Sequence, residues 1–365
     1  MTVLEGRYRL EVLLGRGGMG AVWRAADTVL DREVAVKELL LPDGAPPERR
    51  AVMVERALRE ARAAARVRHP NAIRVHDVFA SGGRPWIVME LLSGHGLDVE
   101  IAERGRLAPE RVAEIGRGLL AALRAAHEKG VVHRDVKPGN VFCRDDGRVV
   151  LTDFGIAAMD DEERITRTGL PIGTPGYIAP ERLRGAPAGP PSDLFALGVL
   201  LYAALTGTAP FAREEPLAAL GAVLTCAPPP PDGPPRLAAL VMGLLAPDPA
   251  RRITAERAGE VLADPALTDP PAGPSAGAGA GARWWLPARV ALAAVGVLAV
   301  ASMPLRGCGA PPAEVEVVPT VAPRAGTPTP APAPAFPGLS PPAPSWPLSP
   351  RYTPSIPPCL LRGDC

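Results

Sequence analysis

Two short segments in the middle of the chain set four polar side chains in a fixed order. Residues His133–Asn140 read His-Arg-Asp-Val-Lys-Pro-Gly-Asn, and Asp153-Phe-Gly follows thirteen residues after Asn140. The first segment supplies a carboxylate, a lysine and an amide, and the second supplies another carboxylate. Carboxylate and amide oxygens can hold magnesium, and a lysine beside them can neutralise phosphate charge. This order therefore favours a fold that brings both segments to one phosphate-handling site.

Lysine is rare in this chain and stands where such chemistry needs it. Only three of the forty lysine and arginine residues are lysines, and they are Lys37, Lys129 and Lys137. An ammonium is a compact point charge, and a planar guanidinium does not simply replace it beside phosphates. Lysine at positions 37 and 137, in a chain that otherwise uses arginine, supports the same interpretation.

Further motifs complete an order that is typical of one family. They are Gly15-Arg-Gly17-Gly-Met-Gly20-Ala-Val22, Val34-Ala-Val-Lys37, Glu60 and Ala179-Pro-Glu181. Together with the two segments above, they resemble a bacterial eukaryotic-type (Hanks-type) serine/threonine protein kinase. The resemblance covers residues 1–265. It implies an α+β fold of two lobes, a small β-rich N-lobe over about 1–92 and a larger α-helical C-lobe over about 93–265.

The resemblance implies ATP-dependent transfer of phosphate to serine and threonine hydroxyls, with Mg2+ or Mn2+. Asp135 is then the catalytic base, and Lys137 neutralises the phosphoryl group in transfer. Asn140 and Asp153 would hold the metal ion. His133 is expected to be structural, because the family buries it.

A nucleotide pocket is expected beside these residues. Glycines 15, 17 and 20 would let the backbone approach phosphates without a Cβ clash. Lys37 would contact the α- and β-phosphates and pair with Glu60, although the sequence alone leaves Glu55 as an alternative partner. By resemblance, the nucleotide-binding residues are Leu14, Gly15, Gly17, Gly20, Val22, Ala35, Lys37, Glu60, Met89, Glu90, Leu92 and Phe142.

The resemblance also implies regulatory and structural roles. Arg134 needs a counter-charge, which a phosphate on Thr166 or Thr168 would supply. The alternative is that both threonines are ordinary exposed loop residues. The expected structural residues are Thr174, which would bond Asp135 and Lys137, Asp193, which would anchor the catalytic loop, and Glu181 and Arg252, which would form a buried ion pair.

Composition argues against other classes of function. The net charge is only +1, and the arginine-rich stretch 49–68 is interleaved with glutamate, so no nucleic-acid footprint is present. No cysteines lie at metal-ligand spacing. The histidines at 69, 76, 95 and 127 have no partners at such spacing either, so they are expected at the surface or as capping residues. Residues 1–10 carry no secretory signal, which places the kinase domain in the cytoplasm.

The last hundred residues have a different character. Residues 266–283 are predicted to be a linker. Residues 284–305 form an apolar block that begins with Trp284 and Trp285. As a helix the block would be roughly 33 Å long, against a hydrocarbon core of roughly 30 Å. It is predicted to be a single transmembrane helix. Residues 306–365 hold seventeen prolines and are predicted to be a disordered, Pro-rich extracytoplasmic tail.

Two alternatives remain at this point. A pseudokinase scaffold would bind ATP or partners without catalysis, but every phosphate and magnesium position carries the expected residue. A soluble kinase whose apolar block binds a lipid surface or a partner helix would change only the localisation. The predicted partners are ATP, protein substrates, the membrane and a second copy of the chain for autophosphorylation.

Overall fold

The computed structural model describes residues 2–17, 20–41, 44, 46–154 and 175–269. The N-terminal part is a six-stranded antiparallel sheet in the order β1-β2-β3-β4-β6-β5. Its strands are β1 Val3–Leu4, β2 Tyr8–Gly17, β3 Gly20–Asp27, β4 Arg32–Leu39, β5 Val75–Ser81 and β6 Arg84–Glu90. Alternation along β4 buries Val34 and Val36 completely on one face, where they pack with Tyr8 and Trp86.

One long helix, α1 (Pro47–Ala64), packs on this sheet. It begins at a proline, whose missing N–H costs nothing in the first turn. Its buried face consists of three alanines, Ala57, Ala61 and Ala64. Burial stabilises by about 0.8 kcal/mol per methyl-sized group, so these alanines attach the helix only weakly.

Helices dominate the second part of the chain. They are α2 Leu97–Arg104, α3 Pro109–His127, α4 Pro180–Leu183, α5 Pro190–Thr206, α6 Pro216–Thr225, α7 Pro235–Leu244 and α8 Ala255–Ala263. Short 3-10 helices lie at Pro138–Asn140, Pro175–Tyr177 and Pro265–Thr268. Helix α5 is buried on every side from Ser192 to Leu205, and it forms the centre of this part's core.

A small second sheet lies next to the helices. Its strands are β7 Gly94–Gly96, β8 Val141–Arg144 and β9 Val149–Leu151, in that order. Gly94 has φ +133°, and a Cβ there would lie 2.0 Å from the carbonyl oxygen of Cys143. Only glycine allows this close pairing. The sheet therefore joins the segment after β6 to the strand that follows Asn140.

A buried ion pair joins α4 to the segment before α8. Arg252 Nη1 and Nη2 donate to the two carboxylate oxygens of Glu181 at 2.8 and 2.9 Å, and Nη1 also donates to the Pro191 carbonyl at 2.6 Å. Burial alone would raise the pKa of Glu181, but the Arg252 guanidinium holds it below its usual value. Losing one partner of such a pair costs about 3–5 kcal/mol.

The structure confirms the β-rich N-lobe and the helical C-lobe. Leu267 falls within the predicted linker, yet it is buried against the C-lobe core. Thr166, Thr168 and Thr174 lie outside the described residues, as do the apolar block 284–305 and the Pro-rich tail 306–365. Across the described part of the chain, no helix combines the length and apolarity that a membrane crossing requires.

Candidate active site

One buried carboxylate holds the loop between α3 and β8. Asp193, near the start of α5, is 1% exposed. Its Oδ2 accepts a hydrogen bond from the backbone N–H of His133 and its Oδ1 from that of Arg134, both at 2.8 Å. Arg134 has φ +72°, which costs a non-glycine residue about 1–3 kcal/mol. The two hydrogen bonds therefore stabilise a loop conformation that the backbone otherwise avoids.

Two histidines complete this anchor. His127 was predicted at the surface, but its side chain is 11% exposed and its Nε2 lies 2.8 Å from Asp193 Oδ2. It reaches the carboxylate because α3 ends there and the chain turns back into the loop. His133 is fully buried, with its Nε2 2.7 Å from the Thr152 carbonyl oxygen and its ring edge-on to Phe154. Both histidines are structural.

The Asp135 carboxylate is fixed on one side. Lys137 Nζ lies 2.7 Å from Asp135 Oδ2, and Asn140 Nδ2 donates to the same oxygen at 2.8 Å. Asn140 Nδ2 also donates to the Asp135 carbonyl at 2.7 Å. No described residue hydrogen bonds to Asp135 Oδ1, so this oxygen can accept a proton from a substrate hydroxyl.

The donor set beside Asp135 fits magnesium. Asn140 is buried and uses its amide nitrogen for Asp135, which leaves its amide oxygen as a ligand atom. Asp153 has φ +63° and contributes a carboxylate. Burial alone would raise the pKa of Asp153, but the Lys37 ammonium lowers it, so the carboxylate is ionised. Mg2+ prefers such oxygen ligands.

The glycine-rich segment forms the hairpin between β2 and β3. Gly20 has φ +148°, and a Cβ there would lie 1.8 Å from the Glu38 carbonyl oxygen, so the protein itself requires this glycine. A Cβ at Gly15 or Gly17 would meet no atom within 4 Å in the described part of the chain, apart from the adjacent residues. Leu14 beside them is an apolar side chain that is 52% exposed. Packing within the protein explains neither these two glycines nor the exposed leucine, and an approaching nucleotide explains both.

Several apolar residues predicted to bind the nucleotide come from neighbouring strands. Ala35 pairs with Met89 across the β4–β6 ladder, and Val22 pairs with Lys37 across the β3–β4 ladder. Ala35 is buried, and Met89 packs against the helical core. The central strand β4 thus carries both Ala35 and Lys37, two of the residues predicted to bind the nucleotide.

The remaining residues predicted to bind the nucleotide lie on the connection between the lobes and on β8. The Glu90 backbone N–H donates to the Arg74 carbonyl at 3.0 Å, and the Glu90 side chain accepts from the Arg74 N–H at 2.8 Å. Leu92 packs against the helical core, and Phe142 lies on β8 opposite Gly96. These bonds hold the connection at its N-terminal end.

Comparison with known proteins agrees with this geometry. Residues 8–264 match the protein kinase domain model. The chain belongs to the protein kinase family. Serine/threonine-protein kinase PknA of Mycobacterium tuberculosis is 40% identical over 287 residues, which cover 74% of this chain and 66% of that protein.

Two further relatives also carry serine/threonine kinase names. Serine/threonine-protein kinase PknL of Mycobacterium bovis is 38% identical over 216 residues, which cover 59% of this chain and 53% of that protein. A probable serine/threonine-protein kinase of Clostridium acetobutylicum is 38% identical over 216 residues, 59% of this chain and 32% of that protein. The chain thus spans at most 66% of the length of these three relatives.

The prediction that Lys37 pairs with Glu60 is wrong for this structure, in which the two residues have other partners. Lys37 Nζ pairs instead with Asp153 Oδ1 at 2.7 Å. Glu60 Oε1 lies 3.4 Å from Arg56 Nε and 3.7 Å from Arg134 Nη1. Two guanidinium groups reach Glu60 Oε1 while a carboxylate reaches Lys37, so each residue has other partners of opposite charge. The alternative partner, Glu55, is exposed.

Glu60 is poorly satisfied in this arrangement. Its Oε2 is buried and has no hydrogen-bond partner among the residues that the structure describes. Burial raises the pKa of Glu60, and the charges of Arg134 and Arg56 oppose this rise only in part. An unsatisfied buried oxygen costs about 1–3 kcal/mol. The helix that carries Glu60 is therefore not in its best electrostatic position.

Replacement of two glycines by alanine separates packing from ligand contact. Gly20→Ala should lower the Tm by several degrees, because the new Cβ overlaps the Glu38 carbonyl and φ is positive. Gly15→Ala should leave the Tm unchanged and weaken binding of a fluorescent ATP analogue. Thermal unfolding and analogue titration of both variants check this. An equal loss of Tm in Gly15→Ala would contradict the nucleotide role of that glycine.

Proposed function

We propose that the protein is a serine/threonine protein kinase that transfers the γ-phosphate of ATP to protein hydroxyls, including its own. The observation that carries the proposal is the Asp135 carboxylate, which Lys137 and Asn140 fix through Oδ2 while Oδ1 has no partner among the described residues. A base held in this way accepts a proton from one direction only. The names of the relatives support serine and threonine as the acceptors.

The residues of the site have separate tasks in this reaction. Asp135 Oδ1 orients the acceptor hydroxyl and takes its proton as the oxygen attacks the γ-phosphorus and the bond to the leaving ADP breaks. Lys137 stays beside the transferring group as a compact positive charge, and Lys37 holds the other phosphates. Asn140 and Asp153 would hold Mg2+, which when bound neutralises phosphate charge.

The Asp135→Asn variant tests catalysis apart from binding. Loss of the base should lower phosphate transfer at least about 100-fold and leave nucleotide binding largely intact. Lys37→Met should instead weaken ATP binding. Transfer of labelled phosphate, measured with purified full-length protein and Mg2+, checks both, and Asp146→Asn is the control because that carboxylate is exposed and pairs only with nearby arginines. Unchanged autophosphorylation in Asp135→Asn would leave only a nucleotide-binding scaffold.

We further propose that Glu60 and a phosphate on Thr166 or Thr168 compete for Arg134. The support is the contact of Arg134 Nη1 with Glu60 Oε1 at 3.7 Å, which is long for a charge-assisted hydrogen bond. A phosphate carries nearly two negative charges and binds a guanidinium through several oxygens, so it is the stronger partner. Release of Glu60 would let α1 bring it to Lys37 and free Asp153 for the metal.

This competition predicts the behaviour of two variants. Thr166→Ala/Thr168→Ala should fold and phosphorylate a peptide about tenfold more slowly than the autophosphorylated wild type, a difference of about 1.4 kcal/mol in activation free energy. Arg134→Gln should show no gain in rate after treatment with ATP, and the control Arg148→Gln should keep the gain. Rates measured before and after phosphatase treatment check this. Full activity of the double alanine variant would overturn the proposal.

We propose that residues 284–305 span the cell membrane once, with the kinase domain in the cytoplasm. The support is the uncharged stretch 290–305 and the placement of Arg283 and Arg289 on its N-terminal side, against Arg306 beyond it. Positive residues flanking a span favour the cytoplasmic side. The tail 306–365 would then lie outside the membrane.

Cysteine labelling of intact cells tests this topology. An impermeant thiol reagent applied after reduction should label Cys359 or Cys365, because both belong to the proposed outer tail. It should not reach Cys143, which is buried in the kinase domain. Detergent-treated cells provide the control for accessible thiols. Absence of label on both tail cysteines in intact cells would place the tail inside.

A further inference from the structure

Three side chains of types that bind metals lie close together on one face of the small sheet. His95 on β7 lies directly opposite Cys143 on β8 in the antiparallel register, so both side chains point to the same face. Glu100, in the first turns of α2, returns to this face because α2 follows β7 without a break. One ligand atom from each residue lies within 4.8 Å of the others.

The distances suit a small cation. His95 Nε2 lies 3.6 Å from Glu100 Oε2. Zinc bonds of 2.0–2.3 Å place the ligand atoms of a tetrahedral site roughly 3.3–3.8 Å apart. The cluster therefore needs shifts of about 1 Å or less, which side-chain rotation supplies.

Burial supports a site with one open side. Cys143 is 1% exposed and Glu100 is 4% exposed, whereas the His95 side chain is 47% exposed. A metal ion can enter beside His95, and a water can take the fourth position there. Two fixed ligands and one accessible imidazole are thus available.

The arginine contacts of the buried Glu100 carboxylate are long. Arg111 Nη2 and Arg104 Nη1 lie 3.4 and 3.5 Å from it, beyond the usual 2.7–2.9 Å of a charge-assisted hydrogen bond. Arg111 has a better partner in the Gly147 carbonyl, at 2.9 Å. Burial alone would raise the pKa of Glu100, but the Cys143 thiol and Arg111 hold it below its usual value. The arginines can serve as outer hydrogen-bond donors, as happens around metal-binding carboxylates.

We propose that His95, Glu100 and Cys143 form a zinc site. The mixture of imidazole, carboxylate and thiol favours Zn2+ over Mg2+ or Ca2+, which take oxygen ligands only. On binding, the Cys143 S–H bond breaks, an S–Zn bond forms, and the proton passes to solvent. Without metal, burial and Glu100 raise the pKa of the thiol to about 12, so binding must displace that proton.

The site would join two parts of the catalytic domain. β7 begins four residues after Glu90, and Cys143 lies three residues after Asn140. A metal ion here would link the connection between the lobes to the strand that follows the magnesium-binding loop. This inference does not depend on phosphate transfer, because its readout is metal binding itself.

Cobalt provides the spectroscopic test. Full-length protein is titrated with Co2+ in excess Mg2+ and a phosphine reductant, since Mg2+ occupies the oxygen ligands of Asn140 and Asp153. A thiolate-to-cobalt charge-transfer band should appear at one equivalent, and Zn2+ should abolish it and raise the Tm. Cys143→Ala should lose the band, and His95→Ala should weaken binding at least tenfold.

Matched controls exclude other metal-binding residues. His76→Ala, which removes a histidine on β5 that is not part of the cluster, should bind as the wild type does. The Cys308→Ser/Cys359→Ser/Cys365→Ser variant should keep the band. Absence of the band in wild type, its survival in Cys143→Ala, or its loss in the triple variant would each overturn the proposal. His95→Ala changes an exposed side chain, so its result holds even if Cys143→Ala is unstable.

Discussion

The catalytic geometry depends on one buried carboxylate. Asp193 accepts hydrogen bonds from two consecutive backbone N–H groups of the catalytic loop and a contact from His127. These bonds offset the cost of the left-handed conformation at Arg134. Arg252 also donates a hydrogen bond to the Pro191 carbonyl at the same end of α5. The N-terminal end of α5 therefore contacts both the catalytic loop and the Glu181–Arg252 ion pair. A strained loop on a rigid helix keeps Asp135 in place without help from substrate.

Charge pairing in the cleft has a different character, because Glu60 is only partly satisfied by its present partners. Lys37 pairs with Asp153, and Glu60 shares the guanidinium groups of Arg56 and Arg134. Each group has an alternative partner of opposite charge within the same site. The proposed exchange of these pairs would leave the anchored loop unchanged, because Asp193 holds that loop through contacts that do not involve Lys37 or Glu60. The position of the base would then be independent of the control of the nucleotide site.

Motifs predicted the two lobes and the residue types of the site, because phosphate and metal chemistry restrict which side chains can stand at each position. They did not predict the partner of Glu60, since several arginines compete for it and spacing along the chain does not rank them. His127 was misjudged for a similar reason, as its partner lies 66 residues away. The approach of His95 to Cys143 depends on strand register, and no local pattern reports that register. Helix α2 was not predicted, because its eight residues are too few to show a helical period in the sequence.

The small alanine side chains on the buried face of α1 affect which ion pairs the helix can form. No large side chain of the helix interlocks with the sheet, so translation or rotation of α1 breaks few dispersion contacts. Packing therefore holds α1 in place only weakly. The ion pairs of the charged residues near its C-terminal end can then determine where the helix lies. A bulkier residue at position 57 or 61 would fill the space between α1 and the sheet, and the helix could then no longer shift. The small side chains at Ala57 and Ala61 would thus set how readily the proposed movement of Glu60 occurs.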